Sequence, residues 1–314
     1  MTTISLQIVC PVFREEQSIA EFHRRLWNVL DQLPPSYSSS VVYVIDPGGD
    51  RTEEVVRSLV AESSATSAIV MSNRFGHQMA LLAGLDCCDS DVLITLDSDL
   101  QHPPELIPDL LAKHAEGYDV VQTVRTATEN QNPLRRAISS SFYKLMNSLS
   151  DTEIVRGGAD FRLLSRRVVE VFQRDIRERN QFLRGLIPWV GFRKCRLEFE
   201  AHDRHAGESK YSLTRSLRLA TDGLVSFSKV PLRLGVTIGL TFAAIAFAYA
   251  LATMIVWLTV GSSPSGWTSL AMLVAGFSGV LLAFMGVLGL YIGAIFDEVK
   301  ARPHYIVAER MESP

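Results

Sequence analysis

Two aspartates, two residues apart, follow directly on an apolar run in "VLITLDSDLQHPPEL", residues 92–106. Asp97, Asp99 and Gln101 recur at the period of a strand, so an extended backbone would project all three to one side. Carboxylates that point the same way repel unless a cation lies between them. A hard divalent ion bound through oxygen, Mg²⁺ or Mn²⁺, fits such a set and keeps positions open for water and substrate phosphates. The same residues would also suit an Asx turn or a cap before a helix starting near Pro104. D-x-D by itself does not choose between these.

The elements that must hold this loop can be read around it. Over the first 150 residues, short apolar runs ("ISLQIV", "VVYVI", "AIVM", "VLITL", "DVVQTV") alternate with helical patterns. Ile19, Phe22, Leu26, Val29 and Leu33 return every three or four residues, as do Val55, Val56, Leu59 and Val60. Strict alternation of strand and helix implies an α/β fold with a parallel sheet covered on both faces. In open sheets of this kind ligands bind beyond the carboxyl ends of the strands. Glu15, Asp46, the pair Asp97 and Asp99, and Arg125 stand there, so all are expected on one edge of the sheet.

A second unit follows. Residues 234–296 contain no Asp, Glu, Lys, Arg or His, and "GSSPSGWTS" divides them into two apolar runs. Each run is roughly 26 residues, enough to cross a hydrocarbon core of about 30 Å with some tilt. The N-terminal "MTTISLQIVCPVF" has neither the basic flank nor the long apolar stretch of a signal peptide. Lys229 and Arg233 precede the first run and Lys300 and Arg302 follow the second, which predicts both ends in the cytoplasm of a plasma (inner) membrane protein. Uncharged spans argue against a transporter path. A net charge of −3 without a basic, aromatic-interleaved stripe argues against nucleic acid as a partner. Cys10, Cys87, Cys88 and Cys195 lack metal or redox spacing and are read as packed thiols.

The blocks "PVFREE", "VIDPGGDRT", "NRFGHQMALLAGL", "DSDLQHPPEL", "GADFRLLSRRVV", "QFLRGLIPWVGF", "RHAGESKYS" and "YIGAIFDEVKARPHYIV" together resemble the inverting family-two glycosyltransferases. The resemblance is to their polyprenyl-phosphate branch, which includes dolichyl-phosphate mannose synthases and bactoprenol glucosyl transferases. It implies a Rossmann-like nucleotide-sugar-binding domain of GT-A type, followed by a two-helix transmembrane hairpin. The expected boundaries are a cytoplasmic catalytic domain at 1–210, an interfacial amphipathic helix at 211–233, the two spans at 234–296 and a cytoplasmic tail at 297–314.

By the same resemblance, Glu15 and Asp46 contact the nucleoside, and Asp97 contacts its ribose or the metal. Asp99 with Gln101 holds the cation carried by the diphosphate. Arg125, Arg135 and Ser139 hold the acceptor phosphate, with Arg136 able to serve in place of Arg135. Asp160 lies near the sugar and the acceptor, and Arg204 and Lys210 sit in a cover over the donor. Two departures weaken the base and ribose contacts: Arg14-Glu15 stands where the family has Asn-Glu, and Asp46-Pro47-Gly48 where it has Asp-Gly-Ser.

The expected activity is metal-dependent transfer of one hexose, from a UDP-linked donor, to a polyprenyl phosphate with inversion. Asp160 positions the substrate or stabilises an oxocarbenium ion rather than serving as an obligatory base. A processive polysaccharide synthase would carry Q-x-x-R-W, whereas residues 181–185 read "QFLRG". A catalytically silent nucleotide-sugar binder is the other alternative. His102 is read as a loop histidine packed against Pro103 rather than a metal ligand. Gly235-x-x-x-Gly239 and Gly289-x-x-x-Gly293 would allow close helix contact, within a hairpin or between subunits of a homo-oligomer such as a tetramer.

Overall fold

The computed structural model describes residues 3–125, 158–179, 181–199, 230–260 and 266–312. Strands β1 (Ile4–Val12), β2 (Tyr37–Ile45), β3 (Thr66–Met71), β4 (Val92–Thr95) and β5 (Val120–Arg125) alternate with helices α1 (Ile19–Leu30), α2 (Thr52–Glu62), α3 (His77–Asp86) and α4 (Ile107–Ala115). Beyond them come β6 (Gly158–Ser165), α5 (Arg166–Arg174), α6 (Leu183–Trp189), β7 (Lys194–Phe199), the long helices α7 (Val230–Val260) and α8 (Trp267–Lys300), and β8 (Val307–Met311).

The strands form one eight-stranded sheet in the order β7-β5-β6-β4-β1-β2-β3-β8. Its middle, β4-β1-β2-β3, is parallel, as strand and helix alternation requires. The five strands expected to run parallel do so, and β6 and β8 join them by antiparallel pairings, β6 with β4 and β5, and β8 with β3. β6 follows no alternating helix pattern, and β8 lies in residues the sequence assigned to a tail, so neither was visible as a strand.

Helix α1 buries Ile19, Phe22, Leu26 and Leu30, one stripe at helical spacing. Helix α3 differs: residues 80–85 are all buried, so it is covered on every side rather than amphipathic. It lies so close to β1 that a Cβ on Gly84 would come within 2.1 Å of Val9 Cγ1, and only glycine fits there. The core runs under the sheet through Leu6, Ile8, Tyr43, Ile94 and Phe161, each fully buried.

β8 completes the far edge. Arg57 on α2 holds Glu309 at 2.8 and 2.9 Å, and the Tyr305 hydroxyl donates to Asp86 Oδ2 at 2.7 Å. Arg177 meets the same carboxylate at 2.7 and 3.2 Å.

Helices α7 and α8 belong to a separate compact unit. Leu234–Val256 and Gly276–Lys300 are long and apolar enough to cross a membrane, and their large apolar side chains are outward-facing. The hydroxyls of Thr241, Thr253 and Thr259 donate to carbonyls four residues back at 2.8, 3.0 and 2.9 Å, which satisfies these three groups within the helix. Gly235 packs on Phe284, whereas Gly239, Gly289 and Gly293 face open space. Of the expected interfacial helix at 211–233, residues 211–229 lie outside the described residues; Val230 and the residues after it begin α7.

Candidate active site

The parallel strands run β1 to β2 to β3 on one side of β1, with β4 on the other, so the order reverses between β1 and β4. Crevices form beyond the carboxyl ends at such a reversal. Glu15 follows β1, Asp46 follows β2, and Asp97 and Asp99 follow β4.

The loop after β4 does not stay extended. Leu100 has φ +61, and Asp99 turns back to accept from the Gln101 backbone N–H at 3.1 Å and side-chain amide at 2.7 Å. The single projected face expected for Asp97, Asp99 and Gln101 is thereby corrected: a turn gathers them instead. A leucine in the left-handed region costs about 1 kcal/mol or more and persists only where its surroundings hold it. Here the Ser98 hydroxyl donates to the Pro11 carbonyl at 3.0 Å and ties the loop to β1.

Asp97 is held without being satisfied. Its Oδ1 is 3.5 Å from His77 Nε2 and its Oδ2 3.5 Å from His102 Nδ1, both longer than a hydrogen bond, and Oδ1 is buried without a partner. Burial pushes its pKa up to about 6; His77 opposes this, and the charges of Asp160 and Asp99 add to it.

His102 is buried between Phe161 and Phe199, at ring distances of 5.9 and 5.8 Å. Burial, and then the Arg125 charge, pull its pKa down to about 3, so it is neutral. Arg125 donates to its Nε2 at 2.9 Å, which leaves the ring proton on Nδ1, aimed at Asp97.

Asp160 on β6 is buried and surrounded by cations. It accepts from His77 Nε2 at 3.1 Å, from Arg184 Nη2 at 2.6 Å and Nε at 3.1 Å, and from Arg162 Nη2. Burial alone would raise its pKa, but these hydrogen bonds and charges outweigh it and hold the carboxyl well below the usual carboxylate range. His77 shows the complement. Burial pulls its pKa down, the Asp160 hydrogen bond and the two carboxylate charges push it up, and the net shift is upward.

Asp46 is placed one step back. Both its oxygens accept backbone N–H groups, Phe75 at 2.8 Å and Gly76 at 3.1 Å, and so fix the turn that leads into α3 and His77. Gly76 has φ +91, a conformation a side chain resists. Glu15 accepts from the Ser18 hydroxyl, and its N–H donates to Thr52 Oγ1 at 2.9 Å. Arg14, at φ +58, donates to the Gly48 carbonyl at 3.0 Å, joining the loops after β1 and β2.

Arg125, Asp97 and Asp160 are thus linked through His102 and His77, with Asp99 and Gln101 on the adjoining turn. Arg135, Ser139, Arg204 and Lys210 lie outside the described residues. Sequence reasoning passed over His77, Arg162 and Arg184. Arg162 carried a signal, since it stands two residues from Asp160 on one strand and shares its face. Arg184 was visible in "QFLRG", but only as a fragment of another motif.

Asp97 and Asp99 suit a hard divalent ion: two carboxylates on one turn, one with its pKa raised and a buried oxygen unpartnered. Among the described residues no three His, Cys, Asp or Glu side chains converge on a point, so protein groups do not by themselves complete a cage there.

Residues 7–172 match the Glycosyl transferase family 2 profile. The glycosyltransferase YkcC of Bacillus subtilis (strain 168) is 38% identical over 304 residues, 97% of this chain and 93% of its own. The bactoprenol glucosyl transferase of Shigella phage SfV is 37% identical, over 97% of this chain and 98% of its own. Among solved structures, mannosyl-3-phosphoglycerate synthase from Rubrobacter xylanophilus shares the fold with a TM-score of 0.50 at 14% identity, covering 70% of this chain and 71% of that one.

Proposed function

We propose, from the premise that the chain belongs to glycosyl transferase family 2, that it moves one hexose from a UDP-sugar to a polyprenyl phosphate at the cytoplasmic membrane face, with inversion. The observation that carries this reading is the pairing of an under-satisfied acidic turn at Asp97 and Asp99 with a cation-lined Asp160 beside it. The name of the phage relative, bactoprenol glucosyl transferase, supports a lipid acceptor and a glucose-type donor.

Two charges need help in such a transfer, the diphosphate that leaves and the phosphate that attacks. Asp97, Asp99 and Gln101 would hold Mg²⁺ or Mn²⁺, which when bound neutralises the leaving diphosphate. Glu15 would orient the nucleoside. Asp46 would act on it through the 75–76 turn, and Arg204 and Lys210 would cover the donor. A phosphate monoester has a second pKa of about 6, so near neutral pH it is already largely a dianion and needs no strong base. Arg125, Arg135 and Ser139 would bind this phosphate.

The apolar hairpin of α7 and α8 would anchor the catalytic unit where a lipid headgroup lies, with both termini cytoplasmic. The open faces at Gly239, Gly289 and Gly293 suit assembly into a homo-oligomer, a tetramer among the options.

Purified protein offered UDP-hexoses, GDP-mannose and short polyprenyl phosphates, with Mg²⁺, Mn²⁺ or EDTA, should pass labelled sugar from a UDP donor into the lipid phase only when the metal is present. A polyprenol accepting as well as its phosphate, or transfer undiminished in EDTA, would refute the reading.

A further inference from the structure

Helix α3 is a rigid mount. Its residues 80–85 are buried, and Gly84 lets it lie against Val9 of β1. Its start is fixed as well. Asp46 holds the N–H groups of Phe75 and Gly76, and the Gln78 side-chain oxygen accepts from the Leu183 N–H of α6 at 3.3 Å. His77 is the first residue of this helix, so its backbone is held from both sides.

The ring is fixed too. Nε2 donates to Asp160 Oδ2 at 3.1 Å and stands 3.5 Å from Asp97 Oδ1, so the imidazole bridges the two carboxylates. A hydrogen bond at one ring nitrogen sets the orientation of the other. Nδ1 has no partner among the described residues, and the side chain is 42% exposed, so the ring reaches solvent with that nitrogen unused.

A hydroxyl suits this nitrogen better than an anion. The neighbouring Asp97 is itself acidic, whereas a hydroxyl is neutral. It also pairs with Nδ1 in either protonation state of the ring, donating to the bare nitrogen or accepting from its N–H. Arg125 approaches the other Asp97 oxygen, through His102, and so leaves the His77 edge to a ligand other than the acceptor phosphate. Between the acidic turn that takes the diphosphate and Asp160, that ligand is the donor sugar.

We propose that His77 is a ligand of the donor sugar, with Nδ1 paired to one hydroxyl of a glucose-type hexose and Asp160 as the positioning residue that holds the ring. This rests on the transferase reading above and adds to it a residue that selects among hexoses. A site built to pair a hydroxyl rejects the analogue that lacks it, because its own polar group is then left unpaired.

Equilibrium binding of UDP, UDP-glucose and the 2-, 3-, 4- and 6-deoxy analogues of UDP-glucose to the full chain in detergent with Mn²⁺ tests this without turnover. One analogue should bind the parent about tenfold more weakly than UDP-glucose, the scale of one hydrogen bond, and His77→Gln should no longer tell the two apart. His77→Gln should also lose about tenfold for UDP-glucose and less than about twofold for UDP. Glutamine keeps an amide where Nε2 stands and asparagine keeps one where Nδ1 stands. His77→Asn should therefore bind UDP-glucose more tightly than His77→Gln, whereas a purely structural role gives the reverse order. That reverse order, an equal loss for UDP and UDP-glucose, no deoxy penalty in the parent, or a penalty that survives in His77→Gln would overturn the proposal. Should His77→Gln fail to bind UDP, His77→Ala decides on the deoxy criterion. A parent that senses one hydroxyl through His77 yet passes no sugar to a polyprenyl phosphate would refute the transferase reading alone.

Discussion

Replacing Asp97 with asparagine should produce a protein that is more stable and much less active. Folding buries this carboxyl and lifts its pKa from 3.8 to about 6 against the opposing charge of His77. At about 1.4 kcal/mol per pH unit the charged form destabilises the folded unit by about 3 kcal/mol. The folded protein holds the proton more tightly than the unfolded chain. The contribution therefore favours folding fully below pH 4 and is lost as pH rises through 6. The side chain is 22% exposed, so about half of the full figure, roughly 1.5 kcal/mol, is expected from Asp97→Asn at pH 7.5. For a unit of this size that is a Tm rise of about 3–6 °C. At pH 4 only about one fifth of the effect remains, because most Asp97 is then protonated in the parent. Differential scanning of both proteins in the same micelles, in EDTA, at pH 4 and pH 7.5, measures the gap. No rise at pH 7.5, or an equal rise at both pH values, would refute the account of Asp97 as a strained, cation-seeking carboxylate.

Asp99→Asn should lower transfer by about 100-fold or more, the scale of losing one electrostatic contact to the developing charge, with UDP-sugar turnover as the assay. Gly84→Ala forces a methyl to within 2.1 Å of Val9 Cγ1 and should cost about 1–3 kcal/mol, with Val9→Ala in the same chain restoring part of it in thermal melts. Tyr305→Phe removes a 2.7 Å bond to Asp86 while Arg177 keeps that carboxylate paired, so a loss of about 1 kcal/mol is expected in urea melts.

Much of the sheet could be read from the chain because its central strands obey one rule. The carboxyl-terminal parts of β1 and β2 and the whole of β4 are buried on both faces and read as mainly apolar runs with helices between them. β7 escaped because it is half exposed, and "KCRLEF" carries two basic residues. Asp97, Asp99 and Asp46 stood out because they follow strands. His77 and Arg184 did not, because each opens a helix whose sequence looks ordinary, and they meet Asp160 only after 83 and 24 residues of chain have folded back. The turn at Leu100 was hidden for a different reason. Nothing in a leucine announces a positive φ, since the conformation goes with the tie of Ser98 to β1 before it and the bond from the Gln101 N–H back to Asp99 across it.

β8 is synthesised after α7 and α8, yet its partner β3 is made long before them. Until the hairpin has left the ribosome, the outer rim of β3 has bare N–H and C=O groups, the kind of edge that recruits stray strands and proteases. A nascent polypeptide halted between its two apolar helices would carry that open rim as a mark of incompleteness. Closure of the sheet is thus possible only in molecules whose greasy segments have been made in full.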